Sequence, residues 1–494
     1  MIRVVGSQFF RIEPGSALAM PPKVSLSMIV KNGAETLERC LASVSALVDE
    51  MIVIDTGSTD GSKAIAEAAG AVVHDFEWTD SFADARNASL DHCQGSWIFW
   101  LDADEWLDPA NQGRFKALID QLPDRNTAYL MNQVSQQADA QELAVSQARL
   151  FRNAPGLRWR YRVHEQISPC CNALGFRQAR APIAIQHSGY ASEALSRSKE
   201  ERNRRLLRIE NAENPGDTWV LYQLGKIQAR DHPDEARLIL RAALEKTKAG
   251  DALRRRIHSL LVEIDMTQGK AGDALANVQN ALKEIPNDTN LLSHAGRLAF
   301  EAGDLTRAER HFTTLMETKP DAEEYLHALD LSLRGWQTRH NLAVVFHNQG
   351  RLRDAERLWK ENASEKTAAT FSWLGLAGIF QREQRWDDLN AAIAHLENAN
   401  DAASLQVRSQ AHLALKQFDQ ARATIAAWID LEPRNVLPRL LLSRAFIHEA
   451  TDLDAAEAAL LAVLELDNEN HEGLHNLEAV RKYREELANV SSDR

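Results

Sequence analysis

The stretch Trp97–Trp106, WIFWLDADEW, places three carboxylates directly after an apolar run. Asp102 and Asp104 are separated by one residue, so on a continuing strand they would point to the same side and converge. Hard oxygen ligands of this kind suit Mg²⁺ or Mn²⁺, which leave coordination positions open for substrate phosphates. A solvated acidic turn at the end of a strand is the alternative, and the pair alone does not decide between them. Glu105 reads as a solvated turn acid outside the site.

The rest of the chain narrows the choice. Its 494 residues are long enough for two or three domains, and 44% apolar content with 14 prolines is a globular composition. A formal net charge of −13 argues against a general nucleic-acid or membrane-surface binder. From Arg149 to Arg208, however, 13 Lys/Arg face four Asp/Glu, an island suited to a phosphorylated ligand. The four cysteines show neither metal-ligand spacing nor a secreted disulfide pattern, so reduced thiols and a cytoplasmic location are expected. No apolar stretch reads as a signal peptide or a membrane span.

Two grammars divide the sequence. Strand-like runs at Val24–Val30, Met51–Asp55, Ala71–His74 and Trp97–Leu101 alternate with helical spacing, the pattern of parallel β–α units. The TGSTDG turn and the DAD acids both follow carboxyl ends of strands, where such sheets bind ligands. Beyond Asp217 the spacing is helical and repeats: Ala274 and Ala308 are 34 residues apart, as are Pro286 and Pro320. Ala295-Gly296, Ala308, Phe312 and Pro320 match the tetratricopeptide pattern in register, which predicts about seven to eight stacked helix pairs and a closing helix, Glu472–Leu487. The expected division is an N-terminal extension (1–22), an α/β domain (23–191), a charged helical linker (192–216) and a solenoid (217–490).

The motifs MIVKN (Met28–Asn32), LERCLASV (Leu37–Val44), DEMIVIDTGSTDGS (Asp49–Ser62), FADARN (Phe82–Asn87) and GSWIFWLDADEWL (Gly95–Leu107) run in order. Together they resemble glycosyltransferase family 2, the GT-A group that uses nucleotide-diphosphate sugars. The fold this implies is a Rossmann-like GT-A domain followed by an all-α tetratricopeptide solenoid. With its attached repeats, the chain resembles a bacterial subgroup of which some members glycosylate peptides or proteins.

The resemblance implies roles by position. Asp55 matches the acid that contacts the nucleotide base, and Arg86 and Asn87 the ARN motif near the nucleotide. Asp102 matches the acid near the ribose and Asp104 the metal ligand. Asp60 is read as a cap on the helix starting near Ser62. Glu165 of VHE lies 61 residues after Asp104, where inverting members carry the carboxylate that deprotonates the acceptor. The bland alternative is a salt bridge to Arg160 or Arg162. His164 could touch the diphosphate, and His187 of IQHSGY could join Asp102 and Asp104 in the metal shell or be purely structural. Lys199, Arg202 and Asn203 could clamp the diphosphate or simply form a charged helix face.

The implied reaction is a metal-dependent (Mn²⁺ or Mg²⁺), inverting transfer of a sugar to a protein or peptide held by the repeats. Two other readings stay open: an inactive scaffold with a glycosyltransferase-like domain, and an enzyme acting on a saccharide.

Overall fold

The computed structural model describes residues 23–136, 142–188, 193–248, 251–318, 329–365, 367–450 and 452–492. Two compact units emerge. The first comprises residues 1–264 with 321–330, and the second 265–320 with 331–494.

The first unit is built on a mixed sheet. Strands β1 (Val24–Val30), β2 (Glu50–Asp55), β3 (Val72–Asp75) and β4 (Trp97–Trp100) pair in parallel in the order β3-β2-β1-β4. Helices α1 (Ala34–Val44), α2 (Ser62–Ala68) and α3 (Phe82–His92) alternate with them, as the spacing predicts. Because successive strand side chains point to opposite faces, β4 feeds two cores. Trp97 and Phe99 pack with Leu37, Leu41 and Val44 of α1, whereas Ile98 and Trp100 pack with Ala83 and Leu90 of α3.

Beyond β4 the all-parallel expectation ends. Strand β5 (Glu105–Trp106), helix α4 (Pro109–Asp120) and strands β6 (Thr127–Gln136), β7 (Glu142–Arg152) and β8 (Arg177–His187) follow. The sheet continues β4-β7-β6-β8-β5, with β7 antiparallel to both neighbours and β5 antiparallel to β8. A two-residue strand, β9 (Leu329–Asp330), adds to β7 from within the sequence expected to be purely helical.

The short helix α5 (Ser168–Ala173) precedes β8, and α6 (Glu193–Glu213), α7 (Thr218–Gln228) and α8 (Pro233–Lys246) lead into the helical half. The segment expected as a charged helical linker forms α6, and Leu206 and Leu207 on it are buried with Val163, Val220 and Leu224. Most of its charges face solvent, Glu210 is buried, and its apolar stripe seals a core.

Helix α9 (Ala252–Thr267) spans the division between the units, and α10 (Ala271–Glu284) begins the second. There follow α11 (Thr289–Glu301) with α12 (Leu305–Glu317), α13 (Trp336–Asn348) with α14 (Leu352–Ala363), and α15 (Ala369–Arg382) with α16 (Trp386–Ala394). The pairs α17 (Ala402–Ala414) with α18 (Phe418–Leu431) and α19 (Leu437–Glu449) with α20 (Leu453–Leu466) complete the series, and α21 (His471–Ser492) closes it. Small residues sit where paired helices cross: a Cβ on Gly296 would meet the Phe312 ring at 2.6 Å. No helix among the described residues is long and apolar enough to cross a membrane.

Candidate functional site

The acids of WLDADEW separate because β4 stops at Trp100 and the chain turns, with the Glu105 amide donating to the Asp102 carbonyl (3.1 Å). The continuing strand that would have aligned Asp102 with Asp104 is therefore absent. Each acid of the stretch acquires its own partner.

Asp102 meets Arg86, whose Nη2 donates to Asp102 Oδ1 at 2.7 Å, while Arg86 Nε donates to Glu165 Oε1 at 2.6 Å. Arg86 is only 4% exposed and lies over the rings of Trp100 (4.4 Å) and Trp159 (5.1 Å). Burial works against its charge, but the Asp102 and Glu165 carboxylates outweigh this and hold the guanidinium pKa above its ordinary value. Burial would likewise raise the Asp102 carboxyl, yet Arg86 and Arg149 bring it below the usual value. Glu165 thus has Arg86 as its ion-pair partner, rather than the Arg160 or Arg162 considered from sequence.

Asp104 meets His187. Pairing of β5 with β8 sets Glu105 opposite His187, which brings His187 Nε2 to 3.2 Å from Asp104 Oδ2. The Asp104 carbonyl accepts from the Ser188 amide and hydroxyl, both at 3.2 Å, which fixes the turn. The hydrogen bond to Asp104 raises the His187 pKa against burial. His187 Nδ1 is buried without a hydrogen-bond partner.

One carboxylate and one imidazole fit Mg²⁺ or Mn²⁺ of the kind completed by water and substrate phosphate. They do not form a protein-only cage, and among the described residues no cluster of three or more His, Cys, Asp or Glu does. Asp102 is ion-paired with Arg86 and also lies close enough to His187 for each to shift the other's charge balance.

Glu105 corrects the sequence reading outright. It is fully buried, and Arg149, 1% exposed, grips it with two hydrogen bonds of 2.6 and 2.7 Å. Burial raises the Glu105 carboxyl, with Arg149 opposing. Glu105 Oε2 also accepts from the Asp102 amide (2.9 Å), so this buried pair sets the start of the acidic turn. Arg149 stacks on Trp100 at 3.7 Å, leaving that indole in contact with both guanidinium groups. The available signal was Arg149 itself: an arginine between apolar residues in a central strand demands a buried partner.

Asp55, 2% exposed, ends β2. Its Oδ1 accepts from the amides of Gly57 (2.9 Å) and Ser58 (2.7 Å), shaping the turn, while Oδ2 is buried without a partner. Asp60 accepts from the Ser62 amide at 2.9 Å and the Ala34 amide at 3.1 Å, so it caps α2 and ties it to α1. Asn87 exchanges hydrogen bonds with the Trp159 backbone (2.8 and 3.1 Å), holding that loop against α3. His164 and Arg202 are exposed, and Arg202 lies over the Phe82 ring at 4.9 Å and donates to Asn203. Lys199 is exposed on α6. Sequence reasoning missed Asn32, whose left-handed backbone (φ 53°) lets its side chain accept from the Thr59 amide (2.8 Å). It also missed Gly33, whose Cβ would crowd Ala103 at 3.2 Å.

Comparison with known proteins identifies the family. The family model for glycosyl transferase family 2 matches residues 25–180, and a tetratricopeptide-repeat model matches 265–330. A tetratricopeptide-repeat-containing protein of Synechococcus elongatus is 34% identical over 278 residues, 55% of this chain and 68% of that protein. The prophage-derived glycosyltransferase SunS of Bacillus subtilis is 25% identical over 248 residues, 49% of this chain and 58% of that protein. A solved tetratricopeptide-repeat protein from Parabacteroides merdae is 16% identical and overlaps 53% of this chain and 99% of that one, with a TM-score of 0.38. The chain belongs to glycosyl transferase family 2 through its N-terminal domain, to which C-terminal tetratricopeptide repeats are joined.

Proposed function

We propose that the protein is a metal-dependent, inverting glycosyltransferase that moves a sugar from a nucleotide-diphosphate donor to a protein or peptide. The observation that carries this reading is the Arg86 bridge, which holds Glu165 and Asp102 on one buried guanidinium beside the carboxyl ends of β2 and β4. Unlike the fully buried Glu105, Glu165 keeps 14% of its side chain exposed, which leaves it access to an acceptor.

In this reading the free Asp55 Oδ2 accepts a hydrogen bond from the base, and Asp102 faces the ribose. Asp104 and His187 would hold Mn²⁺ or Mg²⁺, which when bound supplies positive charge against the leaving diphosphate. Lys199 and Arg202 would bring positive charge to the diphosphate, and His164, whose pKa desolvation lowers, would meet it as a neutral imidazole. Arg86 engages Glu165 Oε1, so Oε2 takes the proton from an acceptor hydroxyl or thiol as its oxygen or sulfur bonds to the anomeric carbon. The bond from that carbon to the diphosphate breaks with its electron pair leaving on the phosphate oxygen, and the configuration inverts. The repeats would present the acceptor, as an extended segment or a helix. Reduced thiols in an acidic chain favour a cytoplasmic setting.

The test is a thermal-shift panel of UDP-, GDP- and dTDP-sugars with Mn²⁺ or Mg²⁺, followed by donor hydrolysis. A nucleotide-sugar that stabilises the wild type and is hydrolysed by it, but not by Asp104→Ala, supports the proposal. No shift with any donor and no hydrolysis would sink it.

A further inference from the structure

Glu165 sits in a loop whose own hydrogen bonds close its base and include one from Gln166 Nε2 to the His164 carbonyl (3.2 Å), but do not account for its tip. Two of its non-glycine residues, Tyr161 (φ 76°) and His164 (φ 56°), have left-handed backbones, a costly conformation that persists only when the surroundings impose it. Within the loop, the paired backbone hydrogen bonds between Arg160 and Gln166 (both 3.0 Å) close its base. Its tip is held from outside.

The holding groups come from α6 and α7. The Arg162 amide donates to Glu210 Oε2 at 2.9 Å, and its guanidinium grips Glu213 at 2.6 and 2.9 Å. The Tyr161 hydroxyl donates to Asp217 at 3.3 Å. Trp219 Nε1 donates to the His164 carbonyl at 3.2 Å, one residue before Glu165. Val163 is buried against Leu206, Leu207, Val220 and Leu224. The Arg162 carbonyl in turn accepts from the Phe82 amide (2.8 Å) at the start of α3, the helix that carries Arg86.

We infer that α6 and α7 form part of the catalytic unit, with Trp219 and Glu210 as positioning residues that set Glu165 against Arg86. Both residues act through the loop and neither needs to touch substrate. The inference rests on the reading of Glu165 as the base.

The test uses the full chain and the nucleotide-sugar that gives the largest thermal shift. Trp219→Phe keeps the ring against Tyr161 and Tyr222 but removes the N–H. Glu210→Ala removes the acceptor for the Arg162 amide, and Glu210→Gln restores one. The expected result is a kcat loss of about tenfold to a hundredfold for Trp219→Phe and Glu210→Ala, with donor KM within about twofold, because small misplacements act on turnover. Glu210→Gln should recover most of it. In a Glu165→Gln background, adding Trp219→Phe should change kcat less than about twofold, since both changes disable one group.

Losses that multiply with Glu165→Gln, losses confined to KM, or wild-type kcat in both Trp219→Phe and Glu210→Ala would overturn the inference. Should Trp219→Phe not fold, the Glu210 pair decides alone. Full turnover in Glu165→Gln itself refutes the base reading and the inference together. An inactive Glu165→Gln beside an unimpaired Trp219→Phe refutes only the inference.

Discussion

Replacing Arg149 with methionine strands the Glu105 carboxylate in the core. Both side chains are essentially inaccessible, joined by two hydrogen bonds of 2.6 and 2.7 Å and covered by Trp100. Removing one member of such a pair costs about 3–5 kcal/mol, because the remaining charge cannot reach water. For a unit of this size each kcal/mol lowers the melting temperature by about 2–4 °C, so the first unit should melt roughly 6–20 °C lower. Glu105→Gln strands the guanidinium instead and should cost a similar amount. The double variant removes both charges, and the carboxamide introduced by Glu105→Gln can still accept from the Asp102 amide, so it should be more stable than either single variant. Urea unfolding followed by tryptophan fluorescence is suitable, since Trp97, Trp100 and Trp159 lie in this core. A loss below about 1 kcal/mol for Arg149→Met, or a double variant equal to the sum of the singles, would refute the assignment of a structural ion pair.

Three further outcomes follow from the structure. Arg205 grips Asp80 with two hydrogen bonds and lowers its pKa from 3.8 to about 2, so the stability this pairing adds is present above pH 4 and lost as pH falls towards 2. The melting difference between wild type and Asp80→Asn should accordingly shrink across that window, and a constant difference would contradict it. Burial raises the Cys40 thiol and pushes Cys93 and Cys171 up to about 12, so at pH 8 iodoacetamide should rapidly label Cys170 alone, and all four cysteines in denaturant; two or more fast native equivalents would count against the burial. In the second unit, a Cβ on Gly375 would meet the Trp359 indole, which is fixed by its bond to His340 (3.2 Å). Gly375→Val should therefore lower stability by about 1–3 kcal/mol in urea unfolding, and an unchanged midpoint would show that the crossing has slack.

The parallel half of the sheet was legible because its information is local. β1, β2 and β4 are largely apolar runs ending at turns, and Asp55 stands where such a run stops. The antiparallel half was not, because β7 and β8 act through partners distant in sequence. Arg149 meets Glu105 across 44 positions, and His187 reaches Asp104 only because β5 pairs with β8. Beside Glu105, the acids Asp102 and Asp104 disguise its burial, although Trp106 and Leu107 follow it. The period-2 argument for Asp102 and Asp104 failed at its premise, a strand continuing past Trp100.

The helix between the N-terminal domain and the repeats carries a burial that its composition hides for a related reason. Residues 197–208 hold six Lys/Arg and two Glu, a composition that suggests a solvated connector. Helical periodicity, however, lets charge and burial share the same stretch. Leu206 and Leu207 face the core while Arg204 and Arg205 pair with Asp231 and Asp80 on the outside. Asp217 then does two jobs: it caps α7 through the Trp219 and Val220 amides and accepts from Tyr161 of the Glu165 loop. A residue that starts the first repeat helix and also braces the proposed base belongs to both parts. The first compact unit accordingly runs past α7, to Ile264.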